Sequence, residues 1–297
     1  MVERDVTRSL AATFGRPAAL VGVVTKPAPP AETRPVTVVL LNAGVIHHIG
    51  PNRLHVLLAA RLARAGFQSI RFDLSGIGDS EVRTDEHDLD ATVHRDIDDA
   101  LDFMTERHHA SSFVLAGICT GANHGLRFAA ADDRVVGVIP IDPFAYKTLG
   151  FQLRHYGRRV FRAKSWRNAL TGRNQYLKKM LAGRSEAAIT SGAFGAIGGT
   201  VAPPPRVERS EMRRILHTLV ERRVPLLQVF TGGNIRYNHG AQFWSAFPSL
   251  RRKGAIRIEF MPDAGHTFSR HRHRERLGSL IEEWLRTTSF PANAPEA

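Results

Sequence analysis

The feature that most constrains this chain is a join. An apolar run, Ser112-Phe113-Val114-Leu115-Ala116, leads directly into Gly117-Ile118-Cys119-Thr120-Gly121, and a helix-compatible stretch follows from Ala122 to Ala131. Glycines two positions before and two after a central residue permit a sharp strand-to-helix turn that lifts the central side chain clear of a sheet. Such a turn requires an apolar strand behind it and a helix ahead, and both are written in the sequence. Sulfur stands where turns of this kind usually carry oxygen. Cys119 is the only cysteine, so no intramolecular disulfide or multi-cysteine zinc site competes for it. A free cysteine can also pack as a small buried hydrophobe, but this pentapeptide favours a reactive one.

Around the join, strand and helix patterns alternate. Apolar and β-branched runs predict strands at 19–24, 36–41, 67–74, 113–119, 135–141, 225–230 and 255–260. Leu54, Leu57, Leu58 and Leu62 predict a helix from Pro51 to Ala65, closed by Gly66, and Val93, Ile97, Leu101 and Met104 predict another over 89–107. Further helices are expected near 240–250 and 270–286. The runs flanking the elbow helix are almost continuously apolar, as in a sheet covered on both faces. The expectation is therefore an α/β fold with a mostly parallel, doubly covered sheet. After Asp142-Pro143 the alternation stops. Residues 145–223 read as an inserted helical cap with a small-residue tract at 191–200, and 1–144 with 224–297 read as the core.

The chain carries 41 Lys and Arg against 28 Asp and Glu, a formal charge of +13. Between Ala145 and Arg223 there are 17 basic and 4 acidic residues, so the remaining 24 of each sign cancel and the whole excess belongs to the cap. That surface is either a set of solvated helix faces or a dock for an anionic acyl carrier, such as CoA or an acidic carrier protein. No nucleic-acid recognition motif accompanies it, so nucleic acid is not an expected partner. The longest apolar runs are strand-length, which predicts no transmembrane segment. Glu3, Arg4 and Asp5 occupy the place of a secretory leader's basic start, and a cytoplasmic location is the expectation.

A nucleophile needs a base. His266, in Asp263-Ala264-Gly265-His266-Thr267, lies just past the last predicted strand and is the candidate. His271 and His273 alternate with arginine at a helix start that reads as exposed, and His108-His109 end a helix. No metal-ligand spacing joins the histidines, so neither a metal nor a cofactor is expected. Acyl transfer also needs two donors aimed at a developing oxyanion. The backbone N–H of Thr120 is one. The loop Asn42-Ala43-Gly44-Val45 is the expected source of the other, with Ala43 and Gly44 small enough to admit a carbonyl. His47, His48, Asn52 and Arg53 crowd the same loop, either lining a pocket or bonding locally.

Three segments together resemble the α/β-hydrolase superfamily over residues 19–288: the turn Asp73-Leu74-Ser75-Gly76-Ile77-Gly78-Asp79-Ser80, the elbow 117–121, and Gly265-His266. More narrowly, Leu41-Asn42-Ala43-Gly44, Gly50-Pro51-Asn52-Arg53 and the segment 71–80 resemble hydrolases associated with exosortase and exopolysaccharide gene clusters. A Cys nucleophile is a feature of the related dienelactone hydrolase. The resemblance implies an acyl hydrolase or acyltransferase acting on a small-molecule acyl substrate through a Cys119 thioester, with His266 as general base. It also implies an acid after the strand 225–230. There the sequence offers Thr231-Gly232-Gly233-Asn234 and no carboxylate. Asn234 is the favoured orienting residue, by analogy with Cys-His-Asn sites, and Asp142 is the alternative. Asp263 is too close to His266 in sequence to turn back on it. The competing class is a non-catalytic binding module of the same fold, for which Asn234 in the acid position is the argument.

Overall fold

The strands that read as unbroken apolar runs are the ones buried on both faces. In the computed structural model, which describes residues 7–28, 33–85, 88–160, 207–251 and 254–291, these are β3 (Val36–Leu41), β5 (Ser112–Ile118), β6 (Val135–Ile141) and β7 (Leu226–Thr231). With β1 (Thr7–Phe14), β2 (Leu20–Pro27), β4 (Ser69–Phe72) and β8 (Ile256–Met261) they form one eight-stranded sheet in the order β1-β2-β4-β3-β5-β6-β7-β8. β1 and β2 pair antiparallel, as do β2 and β4, and every other neighbour pair is parallel.

Helices cover both faces, each over its own apolar cluster. α1 (Leu54–Arg64) and α7 (His271–Thr287) bury Leu54, Leu58, Leu62, Leu277, Ile281 and Trp284 on one side. On the other, α2 (Leu89–His108), α3 (Thr120–Ala131) and α5 (Arg209–Glu221) bury Ile97, Leu101, Leu126, Met212 and Leu216. Burying each such side chain stabilises the fold by about 1.5–3 kcal/mol. Two further helices are α4 (Leu149–Val160) after β6 and the short α6 (Gln242–Ala246) after β7. This is the α/β-hydrolase architecture. The cap expected at 145–223 falls mostly on residues 161–206, outside the described residues, as does the small-residue tract.

Several boundaries differ from the sequence expectation for physical reasons. β1 was not expected. It is an edge strand whose TRSLAATF sequence is mostly small or polar and exposed at every second or third position, so no apolar pattern marks it. The strand expected at 67–74 is only Ser69–Phe72, because Asp73 and Leu74 leave the sheet to begin a turn. The helix expected from Pro51 begins at Leu54. Asn52 and Arg53 adopt left-handed backbone angles, φ 51° and 61°, and make a tight turn first. The helix expected over 240–250 is broken at Phe247, just ahead of Pro248, into α6 and a short turn, Pro248–Leu250.

Candidate active site

β5 lies between β3 and β6 and ends at the elbow. Cys119 takes φ 61° and ψ −114°, outside the comfortable regions for an L-residue, and α3 begins at the next position. Strain of that kind costs about 1–3 kcal/mol and persists only where surrounding contacts enforce it. Here the contacts are backbone against backbone. A Cβ on Gly117 would lie 2.4 Å from the Gly121 carbonyl carbon, and one on Gly121 would lie 2.3 Å from the Asn42 carbonyl oxygen. Gly121→Ala is therefore expected to destabilise the fold by about 1–3 kcal/mol, read as a lower urea midpoint.

The loop after β8 carries His266, and the end of β6 carries Asp142. His266 Nδ1 donates to Asp142 Oδ2 at 2.9 Å, across 124 positions of sequence. Asp142 is buried and also accepts from Thr231 N at 2.7 Å and from the Thr231 hydroxyl. Cys119 lies near enough to the same ring to act on its charge. The Asp142 bond and then Cys119, opposed by burial, push the His266 pKa up to about 10. Two glycines of the β7 loop allow the histidine loop to close in. A Cβ on Gly232 would lie 2.0 Å from Pro262 O, and one on Gly233 would lie 2.2 Å from His266 N.

The expectation that Asn234 orients His266 is corrected. Its Oδ1 accepts from Arg236 N at 3.0 Å and its Nδ2 donates to Pro143 O at 3.4 Å, so the side chain closes a local turn. Asp142, the alternative, holds the ring. Asp263 pairs instead with His273, which is buried at 3% exposure rather than on the surface as its arginine-rich neighbourhood suggested.

The expected oxyanion elements converge on the elbow. Gly44, at φ +62° with open space where a Cβ would stand, donates its N–H to Thr120 Oγ1 at 2.7 Å. Ala43 is buried and Val45 is 60% exposed, on the outer side of the loop. His47 and His48 bond locally rather than reaching the elbow: His48 Nδ1 to Asp73 Oδ2 at 2.8 Å, and His47 Nε2 to Asp79 Oδ2 at 3.1 Å. Asn52 Nδ2 donates to Thr267 O at 2.9 Å and ties this loop to the histidine loop.

Three supporting residues had been given no role from the sequence. Asp73 is fully buried. It accepts from Asn42 Nδ2 at 3.1 Å and His48 N at 2.6 Å, which fixes the Asn42–Gly44 loop from below. Hydrogen bonds from His48, Asn42 and Asp79 outweigh its burial and hold its pKa below the usual carboxylate value. Asn123 bridges Cys119 O at 3.2 Å and Phe144 N at 3.0 Å, and Thr231 anchors Asp142. The D-x-x-G-x-G-x-S turn pointed to Asp73; nothing local marked the others.

His47, His48 and Asp73 bring nitrogen and carboxylate donors within 4.8 Å of one another, a spacing a metal could use. The Asp73 oxygens are already taken by Asn42, His48 and Asp79. His47 Nδ1 accepts from Ile49 N at 3.4 Å, which keeps the ring proton on the nitrogen facing Asp79. The cluster is complete as a hydrogen-bonded strut.

A family model described as serine aminopeptidase, S33, matches residues 33–185. Solved structures share the architecture. An α/β serine hydrolase without lid from Xanthomonas campestris is 18% identical, with 97% of both chains covered and a TM-score of 0.55. Mouse alpha/beta hydrolase domain-containing protein 10 is 14% identical over 94% of this chain and 100% of its own, with a TM-score of 0.56. Est1E from Butyrivibrio proteoclasticus, solved with ferulic acid bound, is 15% identical over 93% and 98%, with a TM-score of 0.59. At these identities the likeness is one of fold. No curated protein matches the chain.

Proposed function

This chain belongs to the S33 serine aminopeptidase family of hydrolases, and from that premise we propose that it hydrolyses small acyl esters or thioesters through a covalent thioester on Cys119. The observation that carries the reading is the hydrogen bond from His266 to the buried Asp142 at 2.9 Å, with Cys119 acting on the same ring from the end of the central strand. The family is named for serine; in this chain the elbow holds sulfur.

The chemistry follows from the charge on His266. An imidazole with a pKa of about 10 is protonated at neutral pH, and in this reading the Cys119 sulfur attacks as the thiolate beside it. The Cys119 sulfur attacks the acyl carbon and a C–S bond forms. Collapse expels the alcohol or thiol, which takes the proton of His266 as it leaves. His266, now neutral, removes a proton from water, whose oxygen bonds to the acyl carbon. The C–S bond then breaks, the carboxylic acid departs, and thiolate and imidazolium are restored. His266 is thus acid first and base second. An amine can replace water in the second half, because thioesters react readily with amines, and acyl transfer is the second outcome of the same site.

In this reading residues 1–144 and 224–297 form the catalytic core together with the sheet-covering helix α5, and the rest of 145–223 is its cap. The positive excess of that cap favours an anionic acyl donor such as a CoA thioester, and the KM for such a donor is expected to rise with ionic strength. Among the described residues no helix is long and apolar enough to cross a membrane.

The mechanism is tested by following alkylation of the single thiol by intact mass across pH, in the wild type and in His266→Ala. Reactivity that is high at neutral pH and largely lost with His266 supports the pair. Slow alkylation indifferent to His266, or acyl turnover unchanged in both Cys119→Ser and His266→Ala, rejects it.

A further inference from the structure

We propose that the side-chain hydroxyl of Thr120, oriented by the Gly44 N–H, is a direct donor to the oxyanion formed at Cys119, in addition to the Thr120 backbone N–H. The inference rests on the acyl-enzyme reading above and deepens it.

A hydroxyl carries one proton and two lone pairs. Gly44 N–H donates to Thr120 Oγ1 at 2.7 Å, a short contact for an N–H donor, and so occupies one of those lone pairs. Among the described residues no acceptor takes the Thr120 hydroxyl proton, although Thr92 and Thr105 each donate theirs to the carbonyl four residues back in their own helix. Thr120 is the first residue of α3 and has no such carbonyl behind it in a helix, since the preceding residue is Cys119 at the elbow. Its proton is left over on a half-buried group immediately beside the nucleophile.

The space next to Gly44 is open: a Cβ built there meets nothing within 4 Å. The loop itself cannot shift to fill the opening. Asn42 O is wedged over Gly121, and the Asn42 side chain is held by Asp73 and by Leu74 N at 2.9 Å. A rigid N–H that orients a hydroxyl also polarises it, since hydrogen bonds in series strengthen one another. The Gly44 N–H, one of the donors the loop could offer, is engaged by Thr120, so in this proposal it acts on the oxyanion through the hydroxyl.

The test uses the full chain with p-nitrophenyl acetate, reading kcat and KM together with acetylation of Cys119 by intact mass, in wild type, Thr120→Val and Thr120→Ser. Valine keeps the shape and removes the hydroxyl; serine keeps the hydroxyl. Loss of one oxyanion donor is expected to lower kcat about 10²-fold with little change in KM, and serine should recover most of it. Alkylation of Cys119 by iodoacetamide, which forms no oxyanion, should proceed at the wild-type rate in both variants and so excludes a misfolded site. Turnover in Thr120→Val equal to or above the wild type overturns the proposal, because the hydroxyl would then only block the Gly44 N–H. A wild type that is never acetylated at Cys119 overturns the acyl-enzyme reading and this inference with it.

Discussion

Replacing Cys119 by alanine is expected to lower turnover of an activated ester by about 10⁴-fold or more, with a urea midpoint close to that of the wild type. The elbow is held by Gly117, Gly121 and the Cys119 N–H bonded to Ile141 O at 3.0 Å, and none of these involves the sulfur. What disappears is the atom that, in the proposed mechanism, bonds to the acyl carbon. Residual activity reflects the oxyanion donors and binding alone. Serine at the same position keeps a nucleophile but changes the proton bookkeeping. Its hydroxyl must surrender a proton to His266 before attacking, whereas the raised pKa of that ring depends in part on Cys119. Cys119→Ser is therefore expected to be far below wild type as well. A Cys119→Ala variant that retained more than a tenth of wild-type turnover would show that the chemistry lies elsewhere.

Asp142→Asn is expected to cost about 10²- to 10⁴-fold in kcat/KM, the range in which losing the orienting carboxylate falls in related triads. An amide in place of Asp142 still accepts from Thr231 N, but it cannot supply negative charge to His266, and its Nδ2 faces a ring N–H. The Asp142 hydrogen bond is the largest contribution raising the His266 pKa to about 10, so the variant's value should fall back toward 6.5. Linkage gives this a second readout. A histidine whose pKa is raised in the folded state binds more protons folded than unfolded, so its stabilisation is complete below about pH 6.5 and is lost as the pH rises through about 10. Wild-type stability should decline across that window, and the gap in urea midpoint between wild type and Asp142→Asn should be wider at pH 6.5 than at pH 10.5. An equal gap at both pH values would mean that Asp142 acts only as a structural anchor for Thr231. With the His266 side chain 37% exposed, solvent screening keeps this stability effect modest.

The two substitutions sit on opposite sides of what could be read along the chain. The elbow is a local object. Its glycines, its apolar strand and its helix are contiguous, and the steric demands that make Gly117 and Gly121 necessary act over five residues. Cys119, Thr120 and the parallel, doubly covered sheet were therefore legible. So was His266, because it follows directly on a recognisable strand. The edge strand β1 was not, since exposure on an antiparallel edge leaves no apolar signature.

The residue that orients the histidine is a different kind of fact. Asn234 and Asp142 both follow core strands, β7 and β6, and both strand ends face the same edge of the sheet. Sequence alone cannot rank them, because their reach to His266 depends on how two adjacent parallel strands end relative to a loop more than thirty residues from either. The structure decides it. Asp142 N bonds Val229 O at 2.8 Å, its Oδ1 accepts from Thr231 N, and its Oδ2 accepts from both the Thr231 hydroxyl and His266 Nδ1. Asn234 spends its amide on a turn. The candidate residues Cys119 and His266 and the fold that carries them were legible along the chain, because each belongs to a short contiguous pattern. Only the tertiary structure decided which residue orients the histidine and that Gly44 meets the Thr120 hydroxyl, because those contacts are made across the chain by packing.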